Sequence, residues 1–352
     1  MNRRYLFLCP DRQGASGGIA VIYSVVRLLR EAGYDALLLH NAPSARYPDR
    51  SEDLPTYHTF AVRRAFHRSH RLYHRLKAEW HIGQERLHGG QNPLYVPRAD
   101  DVLVLPEMYL ADGLLAFPEQ AKIVFVQNPF TYLRARSDAL ARGVDPLRTV
   151  RLHLAVSDVC LDALELVDAE PVARLAVAPR LENFPFAEEK EPLITYMPRK
   201  RPEEAALIDS ALRRRARLGD YVLRAIDGEG PDEVSRLMGQ TRIFISLSRQ
   251  ESLGFPVMEA MATGAIVVGY TGLGGRAFLD EASGFPVEEG DTLGIVRQVE
   301  GVIDAYARDP SALDAIRRAA SERMHRAYRK DKFREALLTT WSRLDPFLDV
   351  DR

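Results

Sequence analysis

The sequence predicts an α/β protein made of two parallel-sheet halves, and three observations carry that reading. The chain opens with an apolar strand (Tyr5 to Cys9), a small-residue loop (Gly14 to Gly18), a helix-period stretch closed by Gly33, and a buried strand at Leu37-Leu38-Leu39. That order is a βαβ unit, which implies a parallel sheet. The same rhythm starts afresh after a proline- and charge-rich break at residues 181–193. The 352 residues are enough for two hydrophobic cores at roughly 150 residues per domain.

Composition narrows the class. Hydrophobic residues make up 46% and charged residues 28%, which excludes a largely disordered chain. The 48 basic and 49 acidic residues leave a formal net charge of -1. No global field draws the chain to nucleic acid or membrane, so a local patch must do so. No apolar run approaches the ~20 residues that cross a bilayer. The first apolar run stops at Pro10-Asp11, too short for a signal-peptide core. Cys9 and Cys160 are the two cysteines, which gives no disulfide framework and no cysteine metal cluster. Cytoplasmic residence is the default expectation.

In the first half the strand rhythm returns at DDVLVLPE, at KIVFVQNP and at LHLAVS, the last followed by helical DVCLDALELV. Between the early and later strands lies an amphipathic segment, Phe60 to Leu87. At 100° per residue Phe66, Tyr73, Leu76, Trp80 and Leu87 share one face, arginines such as Arg64 and Arg68 the opposite one, and five histidines the border. The histidine border is expected to be a boundary stripe between core and solvent. The alternative is contact of residues 63–75 with lipid headgroups, nucleic acid or another anionic acceptor. The histidines have no carboxylate or cysteine partner at ligand spacing, so no metal site is expected there.

In the second half, Leu193 to Met197 reads as a strand and the stretch after Arg201 as a helix. Tyr221 to Ala225 and Ile243 to Leu247 are strands, Pro256 to Thr263 a short helix ended by Gly264, and Ala265 to Gly269 a strand. The last helix runs from about Asp331 to Leu344. The expected division is 1–186, 187–328 and a C-terminal helix within 329–352, with residues 181–193 as linker.

The most informative stretch is IFISLSRQESLGFPVMEAMATGAIVVGYTGLGGRAF. Its first strand delivers the chain to Glu251. Pro256 suits the start of a helix, because its fixed φ fits there and its missing N–H costs nothing. Gly254 and Phe255 then present backbone amides at a helix N-terminus, which favours an anion such as phosphate. Glu259 follows about 5 Å along the axis from Pro256. Both carboxylates are expected near the carboxyl ends of parallel strands, where open α/β sheets bind ligands. Carboxylates beside a phosphate site make sense as acceptors for neighbouring hydroxyls, and a ligand with phosphates and many hydroxyls is a nucleotide sugar. Arg199 and Lys200 supply cations for the diphosphate. Gly274 and Gly275 form a second loop where backbone can approach a ligand closely.

These residues resemble a known family. Glu251 and Glu259, with seven residues between them in E-S-L-G-F-P-V-M-E-A-M-A-T-G, are similar to the E-x7-E signature of GT-B glycosyltransferases of the family 4 type. The Gly17-Gly18 loop with its helix ending REAGYDALLL, the strand–PRK element and the GLGGR loop resemble other parts of that family's pattern. The resemblance implies two Rossmann-like domains facing a cleft, with the C-terminal helix crossing back to the N-terminal domain. It implies transfer of a sugar from a nucleotide-diphosphate donor with retention at the anomeric carbon, with no cofactor and no metal. By it Glu251 contacts the donor sugar and Glu259 the ribose. Arg199 and Lys200 hold the diphosphate as leaving group, and Gly17, Gly18, Gly254, Phe255, Gly274 and Gly275 line the donor. Many relatives carry a histidine after the strand matched by KIVFVQNPF. Gln127-Asn128 stands there instead, so an acceptor-side role falls to Gln127 and Asn128 and no histidine role carries over.

A second pair, Glu281 and Glu289, has the same spacing around another GFPV. No strand precedes it and it has no EAMA helix, so it reads as surface strand and turn. Two other classes stay open. One is a dinucleotide-dependent oxidoreductase, although DRQGASGG lacks G-x-G-x-x-G and no acid closes the second strand. The other is a glycosyltransferase acting on a DNA base through the Arg/His segment. The sugar, the base and the acceptor are not specified by the sequence, and a sugar-binding relative without activity is a further alternative.

Overall fold

A computed structural model of the chain describes residues 3–11, 16–47, 54–68, 72–215 and 218–349, without the side chains of 68, 72–74 and 88. The chain divides into two units, Met1–Val177 with Phe333–Arg352, and Ala178–Lys332.

The first unit begins β1 (Arg4–Leu8), α1 (Gly17–Glu31), β2 (Asp35–His40), β3 (Thr56–His58), α2 (Ala61–Arg68) and α3 (Leu72–His88). It continues β4 (Val102–Pro106), α4 (Leu110–Ala116), β5 (Ala121–Val126), α5 (Pro129–Ala141), α6 (Pro146–Thr149), β6 (Leu152–Ala155), α7 (Asp158–Glu165) and β7 (Val172–Arg174). Its seven strands are ordered β3-β2-β1-β4-β5-β6-β7, and their ladders are parallel. β1 is buried on every residue, as a strand covered on both faces must be. Asn128 caps α5 by accepting from the Thr131 amide at 3.0 Å, with Pro129 in the first turn.

The second unit runs β8 (Leu193–Tyr196), α8 (Pro202–Arg214), β9 (Val222–Ala225), α9 (Pro231–Gln240), β10 (Ile243–Leu247), α10 (Phe255–Ala262), β11 (Ile266–Tyr270), β12 (Phe285–Val287), α11 (Thr292–Arg308) and α12 (Ser311–Ala327). Its parallel sheet has the order β12-β11-β10-β8-β9. Ile194, Ile245 and Val268 from the sheet meet Ile208, Leu212 and Val299 from α8 and α11 in its core. The chain ends α13 (Lys330–Trp341) and α14 (Asp345–Leu348). Trp341 is buried in the first unit, stacked on Phe7 with ring centroids 5.6 Å apart and edge-on to Tyr5 at 5.2 Å. The C-terminal segment thus packs on the first strand, as the α/β reading with a returning helix expects.

Two details differ from the sequence expectation. The segment 181–193, expected as a linker, falls inside the second unit. Arg317 of α12 donates to Ala187 O at 3.0 Å and Glu188 O at 2.6 Å and lies over the Phe186 ring, while the Ala187 amide donates to Thr263 O at 3.0 Å. A composition break marks polar chain, and here those polar groups are tied down. The segment 60–87 is two helices, and the apolar face grouped by periodicity is not the buried one; the Tyr73 side chain lies outside the described ones. Val62, Ala65, Ala78 and Ile82 are buried, whereas Phe66, Leu76, Trp80 and Leu87 are exposed.

Candidate active site

In the second unit the chain leaves β8 for β9 on one side and returns to β10 on the other. The strand order therefore reverses between the neighbours β8 and β10, which is where open α/β sheets bind ligands. The short turn Pro198–Lys200 follows β8, and the loop from Ser248 to Gly254 follows β10. Lys200 Nζ donates to Glu251 Oε1 across this reversal at 2.6 Å. The other oxygen, Glu251 Oε2, is buried and has no hydrogen-bond partner among the described residues, and a buried acceptor of that kind asks for an explanation.

The loop is held by unusual backbone. Gln250 at φ 51° and Gly254 at φ 76° lie in the left-handed region on either side of Glu251. Gln250 has a Cβ and so carries strain of a kind that clusters at functional sites. Gly254 is the N-cap of α10 and offers no side-chain cap. A Cβ there would sit 3.3 Å from Glu251 Oε2, so glycine also leaves that carboxylate its place. Phe255 and Pro256 begin the helix, both half-buried. Gly274 packs the second loop against the first. Its amide donates to Glu251 O at 3.2 Å, and a Cβ would meet Ser252 O at 2.3 Å. Gly274 therefore touches the Glu251 loop directly, while a Cβ on Gly275 would meet ordinary contacts at 3.7 Å and beyond.

Glu259 sits half-buried on α10. Burial pushes its carboxyl up to about 7, the nearby Glu251 charge adds to that, and Arg180 opposes it. A carboxyl so placed changes charge near neutral pH, a property that concentrates at functional sites.

Arg199 shares the turn with Lys200 but is exposed and, among the described residues, pairs with no carboxylate. The structure brings Lys200, and not Arg199, to Glu251. The cation that sequence reasoning missed is Arg201. It is buried over the Tyr270 ring, donates to Ser248 O at 3.3 Å and to Glu204 at 2.6 Å, and also pairs with Glu289. Arg201 braces the loop from below. Glu289 of the second E-x7-E spacing is thereby a surface partner of that brace.

The first unit has its own reversal, between β1 and β4. Gly17 and Gly18 open α1, and the loop residues 14 and 15 lie outside the described residues. A Cβ on Gly18 would touch Gln127 Oε1 at 3.4 Å, so the sequence-predicted Gly17-Gly18 and Gln127-Asn128 come together. The Asn128 carbonyl is engaged in capping α5. Glu107, not singled out from the sequence, is buried at the end of β4 and accepts from the Gln127 amide at 3.0 Å. Burial raises it to about 7, against the pull of backbone amides including those of Gln127 and Asn128. The buried His40 links Asp11 Oδ1 and the Tyr23 hydroxyl, each at 3.0 Å, and Asn41 donates to Tyr109 OH at 3.0 Å. The signal for Glu107 was a lone carboxylate ending the DDVLVLPE strand. Among the described residues no group of three or more His, Cys, Asp or Glu could hold a metal ion.

With this geometry in hand, comparison with known proteins gives the class. Two α/β units, each on a parallel sheet, define the GT-B fold, and solved structures similar to this chain share it. Sucrose-phosphate synthase of Thermosynechococcus elongatus superposes with a TM-score of 0.68 at 13% identity, covering 98% of this chain and 100% of that one. HepE of Anabaena, solved with UDP and glucose, gives 0.65 at 14% identity, covering 97% and 99%. Residues 195–305 match the family described as glycosyl transferases group 1. That span contains Arg199, Lys200, Glu251, Glu259 and the GLGGR loop. An alpha-1,6-glucosyltransferase of Actinobacillus pleuropneumoniae serotype 7 is 26% identical over 222 residues, 59% of this chain. The alignment spans 65% of that relative's length.

Proposed function

We propose that the protein is a retaining glycosyltransferase that moves a sugar from a nucleoside-diphosphate sugar to an acceptor hydroxyl, without a metal. The second unit takes the donor and the first the acceptor. The observation that carries this is the Lys200–Glu251 contact at the β8/β10 reversal, with Glu251 Oε2 buried and unpartnered among the described residues. Lys200 has three N–H donors, and the pair uses one of them. The others suit phosphate oxygens, as does the Phe255 end of α10. Glu251 Oε2 would accept from a sugar hydroxyl, and Glu259 from the ribose, each a charge-assisted bond when the carboxylate is ionised.

In this reading the protein binds the transition state by its leaving group. As the bond between the anomeric carbon and the diphosphate oxygen breaks, negative charge grows on that oxygen. A fixed ammonium and helix amides stabilise that charge without reorganisation, and Arg199 lies on the same turn as a second cation. The family match over 195–305 and the glycosyltransferase relatives support transfer from a nucleotide sugar. They give no support to the oxidoreductase or the DNA-base acceptor. The test is incubation with a panel of UDP-, GDP- and ADP-sugars, following slow donor hydrolysis and the anomer first released. One donor cleaved with retained configuration is expected. Inverted product would overturn the retaining assignment, and no cleavage of any donor would overturn the donor site.

A further inference from the structure

The geometry points to the outward face of α3 as a docking surface for an anionic lipid bilayer. On a helix, side chains advance about 100° per residue. Leu76, Trp80 and Leu87 then fall within about 40° of one another, and Ala78 and Ile82 about 200° away. The structure agrees with both groupings: Ala78 and Ile82 are buried, while Leu76, Trp80 and Leu87 are 63%, 61% and 82% exposed. The helix thus has two apolar faces, and one of them faces water. A bare stripe of leucine and tryptophan is not expected on a solvated helix and marks an interaction site.

The charge around the stripe selects the partner. Residues 61–88 hold seven Arg and Lys against two Glu, and both acids are bound within the segment, Glu79 by Arg64 and Glu85 by Arg63, each at 2.7 Å. Arg75, Lys77 and Arg86 are exposed at about 80–120° from the centre of the stripe, which is where long basic side chains reach headgroup phosphates while the apolar face enters the acyl boundary. A second copy of the chain would bring like charges together. A nucleic acid would satisfy the arginines but leave Leu76 and Leu87 in water. An anionic bilayer satisfies both, and Trp80 suits the interface. No helix of the described residues is long and apolar enough to cross a membrane, so the contact is peripheral.

The test uses the full chain with vesicles of phosphatidylcholine alone or with phosphatidylglycerol added. The sequence has two tryptophans, and Trp341 is buried at 2% exposure, so Trp80 reports the contact. At low ionic strength, phosphatidylglycerol vesicles should shift tryptophan emission to the blue and carry the protein down on sedimentation. Phosphatidylcholine alone should do neither. Leu76→Ser with Leu87→Ser should weaken sedimentation about tenfold or more. Arg75→Gln and Lys77→Gln should each weaken it about fivefold, and high salt should weaken it for the wild type. Absence of the shift with phosphatidylglycerol, or unchanged binding by the double serine variant, would overturn the proposal. So would tight binding of a single-stranded oligonucleotide that the serine substitutions leave intact, if vesicles fail to bind. Donor cleavage is a separate readout, so failure here leaves the glycosyltransferase reading standing.

Discussion

Lys200 Nζ lies 2.6 Å from Glu251 Oε1, which ties the turn after β8 to the loop after β10 at the point where the sheet order reverses. Lys200 is part-exposed and Glu251 more buried, at 36% and 13% of their side chains. A half-solvated pair of this kind contributes about 1 kcal/mol or less to stability. Its position, rather than its strength, makes it informative.

Lys200→Ala and Glu251→Ala should therefore separate stability from activity. Thermal unfolding midpoints should move by only a few degrees. Donor cleavage should fall about 100-fold or more for each, the usual effect of removing a group aimed at developing charge. Arg199→Ala, on the exposed neighbour, should cost less than Lys200→Ala. Equal losses would show that the turn rearranges on binding.

Glu259 gives a pH signature. Its carboxyl is raised to about 7, so it is mostly neutral below that pH and mostly ionised above. If the ionised form accepts from donor hydroxyls, affinity for the nucleotide sugar should rise several-fold between pH 6 and pH 8. Glu259→Gln should flatten that rise. Titration calorimetry of both proteins across the range checks it, and a parallel rise in the variant would remove Glu259 from the ligand.

Two glycines test the loop geometry. Gly254→Ala places a Cβ at φ 76° beside Glu251 Oε2, and should cost about 1–2 kcal/mol together with a loss of donor affinity. Gly274→Ala sets a Cβ against backbone, 2.3 Å from Ser252 O, so one of the two loops must shift. It should be the more damaging of the two by chemical denaturation. A neutral Gly274→Ala would contradict this close packing of the two loops.

Glu107 bears on stability. Its folded carboxyl is raised to about 7 from an ordinary 4.5. The folded state therefore holds a proton that the unfolded state releases, and this contribution is full below pH 4.5 and lost as pH rises to 7. Glu107→Gln keeps an acceptor for the Gln127 amide and does not titrate. The difference in urea-unfolding free energy between wild type and variant should change across that window by about 1–3 kcal/mol, with the wild type losing ground as pH rises. A constant difference would mean that Glu107 titrates normally.

Much of the fold was legible in the sequence because βαβ units write themselves as apolar runs alternating with helix-period stretches. The positions of Glu251, Gly254 and Pro256 could be placed for the same reason: a strand, a glycine and a helix-starting proline leave the chain few routes. What the sequence could not carry was direction. Periodicity groups Leu76, Trp80 and Leu87 on one face of α3 but does not say which face is buried; Ala78 and Ile82 took the inside. Arg199 and Lys200 are adjacent on a tight turn, where one residue's difference decides which cation meets Glu251. Asn128 before Pro129 carried a helix-cap signal that competed with an acceptor role. Glu107 belonged to no motif, and its character comes from burial, which is a property of the folded chain.

The central claim is that the β8/β10 reversal grips a nucleoside diphosphate sugar, and calorimetric titration of UDP, GDP and ADP with their sugars against wild type, Lys200→Ala and Glu251→Ala tests it most directly. Saturable binding of one nucleotide to the wild type is expected, with about tenfold or greater weakening in Lys200→Ala and, in Glu251→Ala, a loss confined to the nucleotide sugar. Nucleotide binding that ignores Lys200, or no binding of any of these ligands to the folded protein, would contradict it.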